Sequence, residues 1–145
     1  MKLIITLLLS VSFHFIFAIE GDKYKIKKEN SSVEWVGKKV TGSHGGTIEL
    51  RDGEIIVENG KVIGGTIYID MTTILITDIK DEKSNAKLLN HLVSPSFFNT
   101  EEYPTGILKI EKVELQSGNQ YIIFGNLTLK DITQRVEIPS TILME

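Results

Sequence analysis

His91-Leu92-Val93-Ser94-Pro95-Ser96-Phe97-Phe98-Asn99-Thr100-Glu101-Glu102-Tyr103-Pro104 is the stretch whose reading decides the fold. The residues leading into it, 81–93, repeat apolar positions about every three and a half residues, so Leu88, Leu89, Leu92 and Val93 form one stripe of a short amphipathic helix. Ser84 or Asn85 is expected to cap its start, and Pro95 prevents it from continuing. Two adjacent phenylalanines follow, and each ring favours burial by about 1.5 to 3 kcal/mol. Phe97 and Phe98 therefore call for a large apolar interior. Tyr103-Pro104 then makes a corner before strand alternation resumes at Ile107.

Outward from this stretch, the chain reads as short strands. Upstream, residues 24–27 alternate Tyr24 and Ile26 against Lys25 and Lys27, and residues 33–40 set Val33 and Trp35 opposite Glu34 and Val36. Residues 41–46 are rich in turn formers, after which Ile48 and Leu50 alternate. Asp52-Gly53 and Asn59-Gly60 both read as hairpin turns, which makes a meander of consecutive antiparallel strands. Residues 61–71 form the longest strand candidate, with a bend or bulge expected at Gly64-Gly65. Downstream strands fall at 107–115, 121–130 and 133–142, joined by Ser117-Gly118-Asn119 and by a tight turn at Asp131-Ile132. About seven strands and one helix fit an all-β fold, an antiparallel barrel or sandwich. No repeat or linker divides the chain.

The chain has 145 residues and no cysteine. Its stability must come from its core, without disulfides, and anchoring through a lipidated cysteine is excluded. The N-terminus begins Met1-Lys2 and continues with a mostly apolar run through Phe17, then the small residue Ala18. That pattern predicts a signal peptide over residues 1–18, with export to a bacterial periplasm and a mature domain over 19–145. The run is shorter than the roughly 20 apolar residues of a membrane span, so no stable span is expected after cleavage. The net charge is −3, and loss of Lys2 makes it one unit more negative. Such a surface argues against nucleic acid as a partner.

Several of these segments resemble, in order, one known family. Val33-Glu34-Trp35, residues 42–48 and residues 65–74 carry the likeness first. His91-Leu92-Val93-Ser94, Phe97-Phe98, Tyr103-Pro104 and residues 125–133 continue it. Together they resemble the YceI-like family of exported lipid-binding proteins. The resemblance implies a lipocalin-like antiparallel β-barrel whose apolar lumen holds a polyisoprenoid chain, such as a quinone or prenyl phosphate tail. Relatives usually continue for a few more strands after the segment corresponding to residues 136–143, whereas this sequence ends at Glu145. A barrel without its last strands keeps an unpaired edge. The alternative expectation is therefore an interaction module that pairs this edge with a partner, a second copy giving a homodimer, without carrying a ligand.

Residue chemistry points away from catalysis. His14 falls in the expected leader, His44 in a glycine-rich segment suited to a polar turn, and His91 at the helix end, where it is expected to bond to backbone. None has metal-ligand spacing. Ser43, Ser94 and Ser96 lack the context of a serine nucleophile. Asp78, Asp81 and Glu82 read as helix-start electrostatics rather than a calcium loop. No enzyme activity, metal or cofactor is expected. The candidate ligand-binding residues are apolar and fall at alternating positions: Trp35, Ile67 and Ile69, then Phe97 and Phe98, then Leu108, Ile110, Tyr121, Ile123, Leu127 and Leu129. Ordinary core packing is the competing reading for each.

Overall fold

The computed structural model describes residues 20–144, and the expected leader lies outside the described residues. The strands are β1 (Asp22–Lys25), β2 (Val33–Lys39), β3 (Gly42–Glu58), β4 (Lys61–Ile76), β5 (Thr105–Ser117), β6 (Gln120–Leu129) and β7 (Ile132–Thr141), with helix α1 (Glu82–Val93) between β4 and β5. All seven join one antiparallel sheet in which β3 to β7 follow chain order. β1 and β2 share the remaining edge of β3: β2 pairs with its first half, Val33 opposite Ile48, and β1 with its second, Asp22 opposite Val57. The class is all-β, as expected. Among the described residues no strand pairs β7 to β1 or β2, so the sheet stays open and has an edge at β7.

Two turns follow the same chemistry. Asn59 and Gly60 have φ of 50° and 74°, and Lys130 and Asp131 have φ of 49° and 59°. Positive φ at both central residues makes the primed hairpin turn that matches strand twist. The second turn is thus Lys130-Asp131, not Asp131-Ile132: β-branched Ile132 disfavours positive φ and instead opens β7 opposite Leu129.

Asp52-Gly53 is not a turn. β3 runs straight through it, and the register steps from Leu50 opposite Ile69 to Asp52 opposite Tyr68, leaving Arg51 as the extra residue of a bulge. The Asp52 carboxylate accepts the Gly53 N–H at 2.8 Å, and a side chain at Gly53 would strike Ile26 Cδ1. The Asp-Gly pair serves a bulge and a close approach here. The expected meander is therefore one long hairpin, β3–β4, flanked by β1 and β2. The bulge expected near Gly64-Gly65 is present, as a register shift between the pairs Ile56–Gly64 and Val57–Val62.

The cap of α1 is Asp81, whose carboxylate accepts the Ser84 N–H at 2.9 Å. Asn85, expected as a cap, instead donates to the Ile76 and Ile79 carbonyls, each at 3.0 Å. A part-buried amide thereby ties the helix to the end of β4. The β2–β3 turn, the 77–104 connection and the β6–β7 turn lie at one end of the sheet, because each follows or precedes strand termini that pair there. The Asn59-Gly60 and Gly118-Asn119 turns lie at the other.

Candidate functional site

Apolar side chains gather on one face of the sheet in two groups. Beneath α1, Ile48, Met71, Ile74, Ile76 and Leu92 are buried, with Trp35, Ile69, Phe98 and Leu129 packed against them. Farther along the face, Leu108, Ile110 and Ile123 are buried, with Ile55, Ile67, Leu127, Val136 and Ile138 against them. Within the helix-covered group, Gly106 contributes no side chain. A Cβ there would lie 2.8 Å from Leu129 and 3.3 Å from the Met71 sulfur, so the glycine lets those side chains close over β5.

The sequence-predicted residues divide between these groups. Trp35, Ile69, Phe98 and Leu129 belong to the helix-covered group, and Trp35 also donates its indole N–H to the Leu75 carbonyl at 3.1 Å. Ile67, Leu108, Ile110, Ile123 and Leu127 belong to the second. Tyr121 is half-buried on β6 opposite Leu115 and Ser140, and it joins neither group. Phe97 also joins neither, and it is 43% exposed.

Pro95 does more than stop the helix. Beyond it the chain folds back: Phe98 N–H donates to the Leu92 carbonyl and Thr100 N–H to that of Val93, at 3.0 and 3.1 Å. This return drops Phe98 under the helix and leaves Phe97 outside. The two rings meet edge to face at 4.6 Å, and His91 lies against Phe97 at 5.5 Å. The His91 ring thus makes a ring contact, while its backbone carbonyl accepts both the N–H and the hydroxyl of Ser94.

Phe97 and Phe98 form one wall of an open pocket of about 340 Å³, with Leu127, Leu129, Ile132 and Gln134 opposite. Lys130 and Ser96 lie at its rim. Lys130 donates to the Pro95 carbonyl at 2.6 Å, tying the β6–β7 turn to the loop after α1. This volume is at the lower end of the ~300 to 1,000 Å³ typical of small-molecule sites. It suits a segment of a longer apolar molecule, with the rest free to run over the inner face. Ile132, Gln134, Val136 and Ile138 were not among the residues singled out from sequence. Their period-two alternation along β7 carries the same signal as that of β6.

Polar groups are few here. His44 Nδ1 lies 3.1 Å from Asp78 Oδ2, but on β3 rather than in a turn. Partial desolvation pushes the Asp78 carboxyl up, yet hydrogen bonds from His44 and the Gly45 N–H outweigh it and hold it below its ordinary range. Asp78 thus braces the loop before α1 against β3. Among the described residues, no group of three or more His, Asp and Glu side chains is arranged to hold a metal.

A YceI-like domain model matches residues 24–145. The chain belongs to the YceI-like family. BcnA of Burkholderia cenocepacia superposes with a TM-score of 0.55 at 19% identity, over 87% of this YceI-like chain and 73% of that one. The Campylobacter jejuni YceI protein aligns with a TM-score of 0.42 at 11% identity, over 90% of this chain and 59% of its own. No curated protein matches in sequence. At such identity the likeness to BcnA shows the fold alone. No helix among the described residues of this YceI-like domain is long and apolar enough to cross a membrane.

Proposed function

We propose that this YceI-like domain is an exported, periplasmic binding protein that holds a long apolar lipid of the polyisoprenoid type, a quinone or prenyl phosphate tail, along its inner face. One observation carries the reading: the apolar face continues past the helix-covered core into an open pocket whose Phe97 is 43% exposed and whose Ile132 is 61% exposed. A tail laid there loses water at about 0.8 kcal/mol per buried CH₂, so burial alone drives tight binding without specific polar contacts. Selectivity then follows length and shape. No reaction is assigned to the domain.

Solvent extraction of the purified protein followed by mass spectrometry tests this. A stoichiometric prenyl lipid is expected. Empty protein that also refuses an added quinone overturns the reading.

The edge of β7, which pairs with no further strand among the described residues, favours a second reading, pairing with a partner strand or a second copy. Pro139 within β7 weighs against it, since proline on an edge strand blunts pairing. A further proline within residues 133–138 should dissolve any oligomer if this reading holds. A protein that is monomeric at every concentration overturns it.

A further inference from the structure

The geometry points to a membrane-docking surface at the tip of the β2–β3 hairpin, which contacts an anionic lipid bilayer. Between Glu34 and Glu49 the sequence has no acidic residue, yet it carries Lys38, Lys39 and His44 in a chain of net charge −3. The structure places this stretch where it can act. β3 is paired with β4 only from Gly46 onward, so residues 37–45 of the hairpin extend past the end of β4.

At the tip, Val40 is fully exposed and Val36 is 66% exposed, and neither side chain packs into either apolar group. Lys38 and Lys39 lie between them, also exposed. Exposed aliphatic groups on either side of two lysines suit a lipid surface, where the aliphatic groups enter the interface and the ammonium groups meet anionic headgroups.

Topology adds a second reason. The pocket formed by Phe97, Leu129 and Ile132 lies at the same end of the sheet as this hairpin, because the β6–β7 turn and the loop after α1 are at that end. Docking by the tip would hold this end of the sheet toward the bilayer, the source or destination of an apolar cargo, with the pocket about 30 Å back from the surface. Of the acidic groups at this end, Asp78 pairs with His44 of the hairpin, Asp81 caps the helix and Glu102 accepts from Asn99, so the positive charge of the tip rests on Lys38 and Lys39.

The inference goes beyond lipid carriage, and its test needs no cargo, so its failure would leave the binding reading untouched. The test is sedimentation of the purified protein with vesicles of phosphatidylcholine, with and without phosphatidylglycerol. Binding is expected only to the anionic vesicles, and Lys38→Gln with Lys39→Gln should weaken it about twenty-five-fold, at roughly a factor of five per lysine. The absence of native cysteine allows one polarity-sensitive dye at Val40→Cys and, in a separate variant, at Asn119→Cys on the opposite end. Vesicles should shift the dye at 40 and leave that at 119 unchanged. Binding equal on neutral vesicles, binding unaffected by loss of both lysines, no binding at all, or a shift at 119 without one at 40 each overturns the proposal.

Discussion

The helix-covered end of the inner face and the β5–β7 end are built from the same alternation of isoleucine, leucine and valine, and each buries a core, Leu108, Ile110 and Ile123 at the second, yet only the first is capped by a helix out to its margin. Under α1, Met71 and Ile74 retain 4% and 5% of their exposure, and the helix is held by a tied amide, a capping carboxylate and a folded-back loop. Toward β7, Val136 and Ile138 are half-buried and Ile132 is 61% exposed. Sequence pattern decides which face is apolar; what covers it is decided by a connection elsewhere in the chain. The uncovered end is where a ligand has a place.

Perturbing the covered end should cost stability. Leu92→Ala removes the one buried residue of α1 and should destabilise by about 2 to 5 kcal/mol in chemical denaturation. The adjacent phenylalanines divide the comparison more finely. Phe98→Ala should cost about 3 kcal/mol, because its ring packs beneath the helix. Phe97→Ala should cost under about 1 kcal/mol while weakening lipid binding. Equal losses from the two would show that both rings are simply core.

Asn85→Ala leaves two carbonyls, Ile76 at the end of β4 and Ile79 in the loop after it, without this donor and should cost about 1 to 3 kcal/mol, read by thermal unfolding.

A smaller effect is expected from acid. The hydroxyl and N–H of Ser84 hold the Asp81 carboxyl below its ordinary 3.8. A carboxylate with a depressed folded-state value adds stability that is complete above the ordinary value and disappears as pH falls through the depressed one. Asp81→Asn keeps a good cap at neutral pH and should flatten the acid limb of a stability profile below pH 3.8. A steeper acid limb in the variant would contradict this.

Much of the fold is legible in residues 91–104 and their surroundings. The helix stripe, the Pro95 stop and Asn59-Gly60 follow from local geometry that no distant contact overrides. Asp52-Gly53 misleads because the pair continues β3 beside the bulge at Arg51, and its glycine answers to Ile26, far off in sequence, which leaves no room for a side chain. The candidate site is legible as a class of residue, not as a place. That Phe98 packs beneath the helix while Phe97 is left exposed, both of them lining the pocket, depends on two backbone bonds to the helix end. The β7 residues carry the right alternation, but only pairing with β6 shows that Ile132 and Gln134 face Phe97.

Backbone hydrogen exchange with and without an added long-chain prenyl quinone tests the central claim most directly. Binding to the uncovered end predicts ligand-dependent protection across residues 123–138 and the 96–98 loop, with residues 42–50 and α1 unchanged. Protection confined to the helix-covered end, or no change anywhere at saturating quinone, would contradict it.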